Sequence, residues 1–144
     1  AAEHIDYKGS SEGKIIITPH FMELSRLTGK TAADIKEHMI ETAKEYAIQH
    51  SCICILKDAR TVVTDGQKVY INCTGNDGMS TGGSGDVLTG LIAGMAAIGL
   101  DAFDAACLSV YVHGKAGDLA AQQKGRTGMT ASDIAEAIAY VLKR

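Results

Sequence analysis

Asn72-Cys73-Thr74-Gly75-Asn76-Asp77-Gly78-Met79-Ser80-Thr81-Gly82-Gly83-Ser84-Gly85-Asp86-Val87-Leu88-Thr89-Gly90 is the stretch on which the fold and function of this chain turn. It carries six glycines between Gly75 and Gly90. An apolar pattern of helical spacing (Val87, Leu88, Leu91, Ile92, Met95) starts just after the densest of them. Glycine admits φ > 0 and lets a ligand approach the main chain without a Cβ in the way. A glycine-rich turn opening onto a helix aims unpaired N–H groups, and the positive end of the helix dipole, at one spot. Such a spot suits an anion, phosphate above all. Asp86 stands at its lip. As an ordinary first-turn residue it would be favoured by the dipole by about 0.3–1 kcal/mol. Beside a bound phosphate, however, a carboxylate is repelled, which points to a chemical role: accepting a proton from a hydroxyl activated next to the phosphate. The stretch is not a P-loop, since no Gly-Lys-Ser/Thr closes it, and Leu88 stands where a GxGxxG fingerprint needs its third glycine.

Upstream, Thr61–Thr64 and Gln67–Ile71 flank Asp65-Gly66 and read as a β-hairpin that delivers the chain into this loop. Before the hairpin lie two short apolar runs, Lys14–Thr18 and Ser51–Leu56, rich in isoleucine and fit for strands buried on both faces. Pro19 ends the first. Phe21–Leu27 reads as a short helix stopped at Gly29, and Thr31-Ala32-Ala33-Asp34 has capping-box spacing before a single helix through Ile35, Met39, Ile40, Ala43 and Ala47. Residues 1–13 read as polar and irregular. Downstream, helices are expected over Ser84–Ile98, Ala102–Gln123 and from a second capping box at Thr130 to Leu142. Strands alternating with helices indicate an α/β sheet with helical cover. Two buried strands and a hairpin make a short sheet for so many helices, so the 144 residues read as the C-terminal half of something larger.

Hydrophobic residues at 46%, charged residues at 22% and a formal net charge of −3 describe an ordinary globular protein. There is no basic stripe for nucleic acid, no apolar run near the ~20 residues that span a bilayer, and no signal-peptide order at the start. The expected setting is the cytoplasm, away from membranes. Cys52 and Cys54 alternate in a strand and so share one face, and no second ligand pair accompanies them at zinc spacing. Together with Cys73 and Cys107 they read as small hydrophobes.

Ligands of open α/β sheets bind beyond the C-terminal ends of the strands. That end would gather Pro19-His20, Lys57 to Thr61 and the glycine loop. Lys57 and Arg60 could balance phosphates or form a solvated strand end. His20 could bond a substrate or a nearby backbone group, and Glu23 could orient a water on Mg²⁺ or sit exposed on its helix. Asn72 and Asn76 could touch a ligand or shape turns. Met79, Met95 and Met129 read as packing.

The segment from Asn72 to Leu88, Thr18-Pro19-His20-x-x-Glu23 and Lys57-x-Ala59-Arg60-Thr61 resemble motifs of the ADP/ATP-dependent NAD(P)H-hydrate dehydratases. These are of the YjeF C-terminal type, within the ribokinase-like superfamily. The likeness runs over essentially the whole chain. It implies a three-layer ribokinase-like α/β sheet with helical cover, of which residues 1–144 are a partial domain, the C-terminal half. It implies dehydration of (6S)-NADHX or NADPHX with ADP or ATP and Mg²⁺, through phosphorylation of the hydrate hydroxyl and loss of phosphate. By position, Asp86 is the implied base and a substrate contact, and His20 a second substrate contact. Gly83, Ser84 and Gly85 are the implied anion hole, with Gly85 also at the nucleotide. Lys57, Asp58, Ala59, Arg60, Thr61 and Asn76 are the implied nucleotide site, and Glu23 reaches Mg²⁺ through water. A homo-oligomer, commonly a tetramer, is implied too. Asp58 departs from a usual glycine, Phe21-Met22 from a usual Pro-Gly, and Asp77 from a common proline. A ribokinase-like kinase of small alcohols, and an inactive nucleotide-binding fragment, are the alternatives.

Overall fold

The computed structural model describes residues 15–143. The expected irregular segment 1–13, and Lys14 at the head of the first strand, lie outside the described residues. Strand β1 (Ile15–Ile17) runs parallel to β2 (Cys52–Leu56), with Ile16 opposite Ile53. β2 pairs antiparallel with β3 (Val62–Thr64), and β3 antiparallel with β4 (Val69–Ile71), giving the order β1-β2-β3-β4. β1, β2 and β4 therefore all end at the same edge of the sheet.

β2 is the axis of the core, because all five of its residues are buried and side chains alternate across a strand. Ile53 and Ile55 face one way, into a cluster with Val63, Leu88, Ile92, Phe103 and Val110. Cys54 and Leu56 face the other, with Leu24, Ile35, Ala43, Ala47 and Val62. The second cluster is covered by α1 (Phe21–Thr28), α2 (Ala32–Glu37) and α3 (Met39–His50). The first is covered by α4 (Ser84–Ala97) and α5 (Ala102–Lys124). These are three layers, helix, sheet and helix. Each large aliphatic side chain so buried stabilises the fold by about 1.5–3 kcal/mol. Beyond them α6 (Ala131–Val141) packs on α5 through Ile134, Ala137, Ala116, Ala120 and Met129. No helix among the described residues is long and apolar enough to cross a membrane.

Three local features differ from the sequence expectation. β1 is half-buried where burial on both faces was expected, because no described strand lies on its outer side. The helix from Thr31 breaks at His38 (φ −125°, ψ 46°) into α2 and α3, and the bend keeps Ile35, Ala43 and Ala47 in one cluster. The hairpin turn spans residues 65–68, since Thr64 pairs with Val69. Asp65 Oδ1 accepts the N–H groups of Gln67 and Lys68 (2.9 and 2.8 Å) and Thr64 Oγ1 donates to the Lys68 carbonyl (2.7 Å), which locks this longer turn.

Candidate active site

The parallel pairing of β1 and β2 continues past both strands, where the Lys57 N–H donates to the Pro19 carbonyl (2.8 Å). This sets His20 beside Lys57. His20 is also the N-cap of α1: its Nδ1 accepts the Glu23 N–H (3.1 Å) and its own N–H donates to Glu23 Oε2 (2.8 Å). Because Nδ1 accepts, a neutral His20 carries its proton on Nε2. Glu23 thus serves as half of a capping box, with one oxygen, Oε1, outside those bonds.

Lys57 reaches across to the glycine loop. Its Nζ lies 3.3 Å from the point a Cβ on Gly85 would occupy. Gly83 turns the chain into α4 at φ 86°, a left-handed conformation that suits glycine, and gives the helix no side-chain cap. The N–H groups of Ser84, Asp86 and Val87 bond to the carbonyls of Thr81 and Gly83 (3.1–3.3 Å). Those of Gly82, Gly83 and Gly85 meet no acceptor among the described residues. An ammonium and three open amides therefore gather at the positive end of α4, an arrangement built for an oxyanion.

The lower wall is α5. Thr74 Oγ1 bonds to the Tyr111 carbonyl (3.0 Å), and Asp118 accepts from the Gly75 N–H and from Asn76 Nδ2 (both 3.1 Å). A Cβ on Gly114 would lie 2.1 Å from Thr74 Oγ1, and one on Gly117 2.2 Å from Met79 Sδ. At Gly114 the loop lies directly on the helix backbone, which only glycine permits, while at Gly117 the neighbour is the Met79 side chain. His113, 8% exposed, places Nε2 3.5 Å from Ser84 Oγ. Burial pushes its pKa down; a bond to Ser84 opposes this and the Lys57 ammonium adds to it.

His20, Lys57, Asp58, Ala59, Thr61, Asn76, Ser84 and Gly85 all line one cavity of about 750 Å³, joined by Thr74, Gly75 and His113. Arg60 does not line it; its Nη1 donates to Cys73 Sγ (3.4 Å). Gly83, Glu23 and Asp86 also stand outside the lining, Asp86 exposed on the first turn of α4. Asn72 is buried, with Nδ2 on the Thr74 carbonyl (2.9 Å), and Asn76 Oδ1 accepts from the Gly78 N–H (3.0 Å). Both asparagines shape the loop. Burial raises the Cys52 and Cys54 thiols to about 11 and about 12, so neither is a nucleophile at neutral pH. No group of three ligating side chains that could hold a metal occurs among the described residues.

Residues 1–140 match the family described as NAD(P)H-hydrate dehydratase. The chain belongs to that family. It is 52% identical over 133 residues to the bifunctional NAD(P)H-hydrate repair enzyme of Moorella thermoacetica, covering 91% of this chain and 25% of that protein. It is 34% identical over 132 residues to the ADP-dependent (S)-NAD(P)H-hydrate dehydratase of Neisseria meningitidis, covering 90% of this chain and 45% of the relative. Among solved structures, the ADP/ATP-dependent NAD(P)H-hydrate dehydratase of Bacillus subtilis, co-crystallised with ATP/Mg²⁺ and soaked with CoA, superposes with a TM-score of 0.87. Identity is 32%, with 92% of this chain and 50% of that one covered. The chain thus spans half or less of the length of these relatives. Of the residues that line or brace this cavity, His113, Gly114, Gly117 and Asp118 were not singled out from the sequence. The available signal was a pair of glycines three apart inside a helix, flanked by a histidine and an aspartate.

Proposed function

We propose that the chain supplies the nucleotide and phosphate half of an ADP- or ATP-dependent dehydratase acting on (6S)-NAD(P)H hydrate. The observation that carries this is the meeting of Lys57 with Gly85, whose amide is open, in the lining of a nucleotide-sized cavity, with the open amides of Gly82 and Gly83 just before it in the loop. There the adenine nucleotide lies along Lys57 to Thr61 with its terminal phosphate on the amides. Asp86 takes the proton of the hydrate hydroxyl, whose oxygen then bonds to phosphorus as the bond to the leaving nucleotide breaks. Loss of inorganic phosphate from the phosphorylated hydrate restores the nicotinamide ring. The amides and Lys57 stabilise charge on the transferring oxygens without reorganising.

The donor set fits a cation carried by nucleotide phosphates and water, since no protein cage is formed among the described residues and Glu23 Oε1, outside the capping bonds, has only His20 Nε2 near it at 3.7 Å. Bound in that way, Mg²⁺ would neutralise phosphate charge. Asp86 is exposed, so a further wall must cover it before water is excluded from the hydroxyl. The relatives' greater length offers the source of that wall. A cytoplasmic setting suits the free, buried Cys52 and Cys54.

The test is ADP-driven loss of NADHX, followed by NADH absorbance, for this chain alone and for the chain joined to the preceding half of the domain. The joined protein should turn over, and Asp86→Asn should lower kcat by about 10²–10⁴-fold. This chain alone should bind ADP without turnover. An Asp86→Asn protein as active as its parent would sink the assignment of the base, and robust turnover by 144 residues would sink the half-site reading.

A further inference from the structure

His113 is buried on α5 among Val110, Val112, Gly114 and Ala116, and Ser109 is the other buried polar side chain of that helix. Ser84 Oγ lies 3.5 Å from its Nε2, and the Ser84 backbone is a second hydrogen-bond partner of the ring. Both residues are 8% exposed, and both line the phosphate end of the cavity. Among the described residues no carboxylate balances the ring: Asp118, farther along α5, is held by Gly75 and Asn76. The charged group acting on it is the Lys57 ammonium, which with burial keeps the ring neutral. A neutral imidazole has one donor nitrogen and one acceptor.

The two tautomers have opposite consequences. If Ser84 donated to Nε2, its proton would point at the helix and its lone pairs would face the incoming anion. If Nε2–H donates to Ser84 Oγ, the hydroxyl proton is left for the cavity. Only the second complements Lys57 and the open amides.

Resting on the nucleotide reading above, we propose that His113 is a positioning residue: its Nε2–H holds Ser84 Oγ so that the Ser84 hydroxyl donates to a phosphate oxygen of the bound nucleotide. The test is calorimetric titration of this chain with ADP and with adenosine, for wild type, Ser84→Ala, His113→Leu, His113→Gln and the Ser84→Ala/His113→Leu double variant. Ser84→Ala and His113→Leu should each weaken ADP about tenfold, as loss of one bond to a charged group does. The double variant should be no weaker than either, adenosine should be unaffected, and His113→Gln, which keeps a donor, should stay within about twofold of wild type. ADP affinity unchanged in His113→Leu, or losses that multiply in the double variant, would overturn the proposal. Should His113→Leu not fold, or should the wild-type chain bind no ADP (which fails the nucleotide reading instead), ¹⁵N NMR of the ring decides. A neutral Nε2–H tautomer whose shifts move in Ser84→Ala supports the pairing; an Nδ1–H tautomer or a charged ring at neutral pH removes it.

Discussion

Helices α4 and α6 begin in opposite ways. At α6 the start is closed: Asp133 Oδ2 accepts the Thr130 N–H and hydroxyl (both 2.8 Å), and Thr130 Oγ1 accepts from the Asp133 N–H (3.4 Å). His20 closes α1, Thr31 closes α2 and Asp101 closes α5 in the same spirit. At α4 the corresponding place is Gly83, with no side chain to offer, and its own amide and those of Gly82 and Gly85 meet no acceptor among the described residues. A side-chain cap contributes about 0.5–2 kcal/mol. Helix α3 also lacks a side-chain cap at His38, so an uncapped start does not by itself mark a site; what sets α4 apart is that its uncapped start lies beside Lys57.

The contrast can be broken most sharply by Gly83→Asp, which sets a carboxylate where the phosphate belongs and a Cβ at φ 86°. Calorimetry should show ADP affinity falling by about a hundredfold or more, since like charges brought together cost several kcal/mol. Lys57→Ala removes the ammonium but leaves the amides, and about tenfold in ADP affinity should go with it, together with much of the salt dependence. At the other pole, Thr130→Ala should cost about 1 kcal/mol in urea unfolding and leave ADP binding alone. Should Thr130→Ala weaken ADP as much as Lys57→Ala does, the division between closed and open starts would be wrong.

The smallest effect concerns pH. The folded state holds His113 below its ordinary 6.5, chiefly by burial, so below that pH the unfolded chain binds more protons than the folded one. Stability should therefore be full above pH 6.5 and decline as pH falls from there towards the folded-state value. Asp133, lowered by the Thr130 hydroxyl bond, acts in a separate window below 3.8. Urea midpoints between pH 7 and pH 5 should slope for wild type and flatten for His113→Gln; equal slopes would take His113 out of the account.

Much of this was legible in the residues. Isoleucine and valine runs announce β2 and β3 because a strand buried on both faces has nowhere to put a polar side chain. The glycine loop announces itself because so many glycines before an apolar helical pattern have few structural uses. The capping of α1 was not legible, since histidine is an unusual cap and Glu23 looks equally at home on an exposed helix face. Arg60 turns away to Cys73 for a reason of tertiary contact that no spacing encodes. The face of α5 escaped for a different cause. Its work is done by what is missing, the Cβ atoms of Gly114 and Gly117, and by His113 and Asp118, which sit in an alanine-rich pattern that reads as plain packing.

The contact between the loop and α5 through bare glycine also bears on how this site can change over generations. A Cβ at Gly114 meets Thr74, its backbone carbonyl carbon included, at 2.1–2.8 Å, so that point of the wall offers selection no intermediate sizes to try, whereas at Gly117 the neighbour is the flexible Met79 side chain. Adaptation towards one nucleotide or another is confined to the opposite rim, at His20, Phe21, Met22 and Asp58, where side chains reach the same cavity and have room to vary. At Gly114 the fit is set by geometry rather than by the choice of side chain, whereas those four positions carry side chains that a substitution can resize.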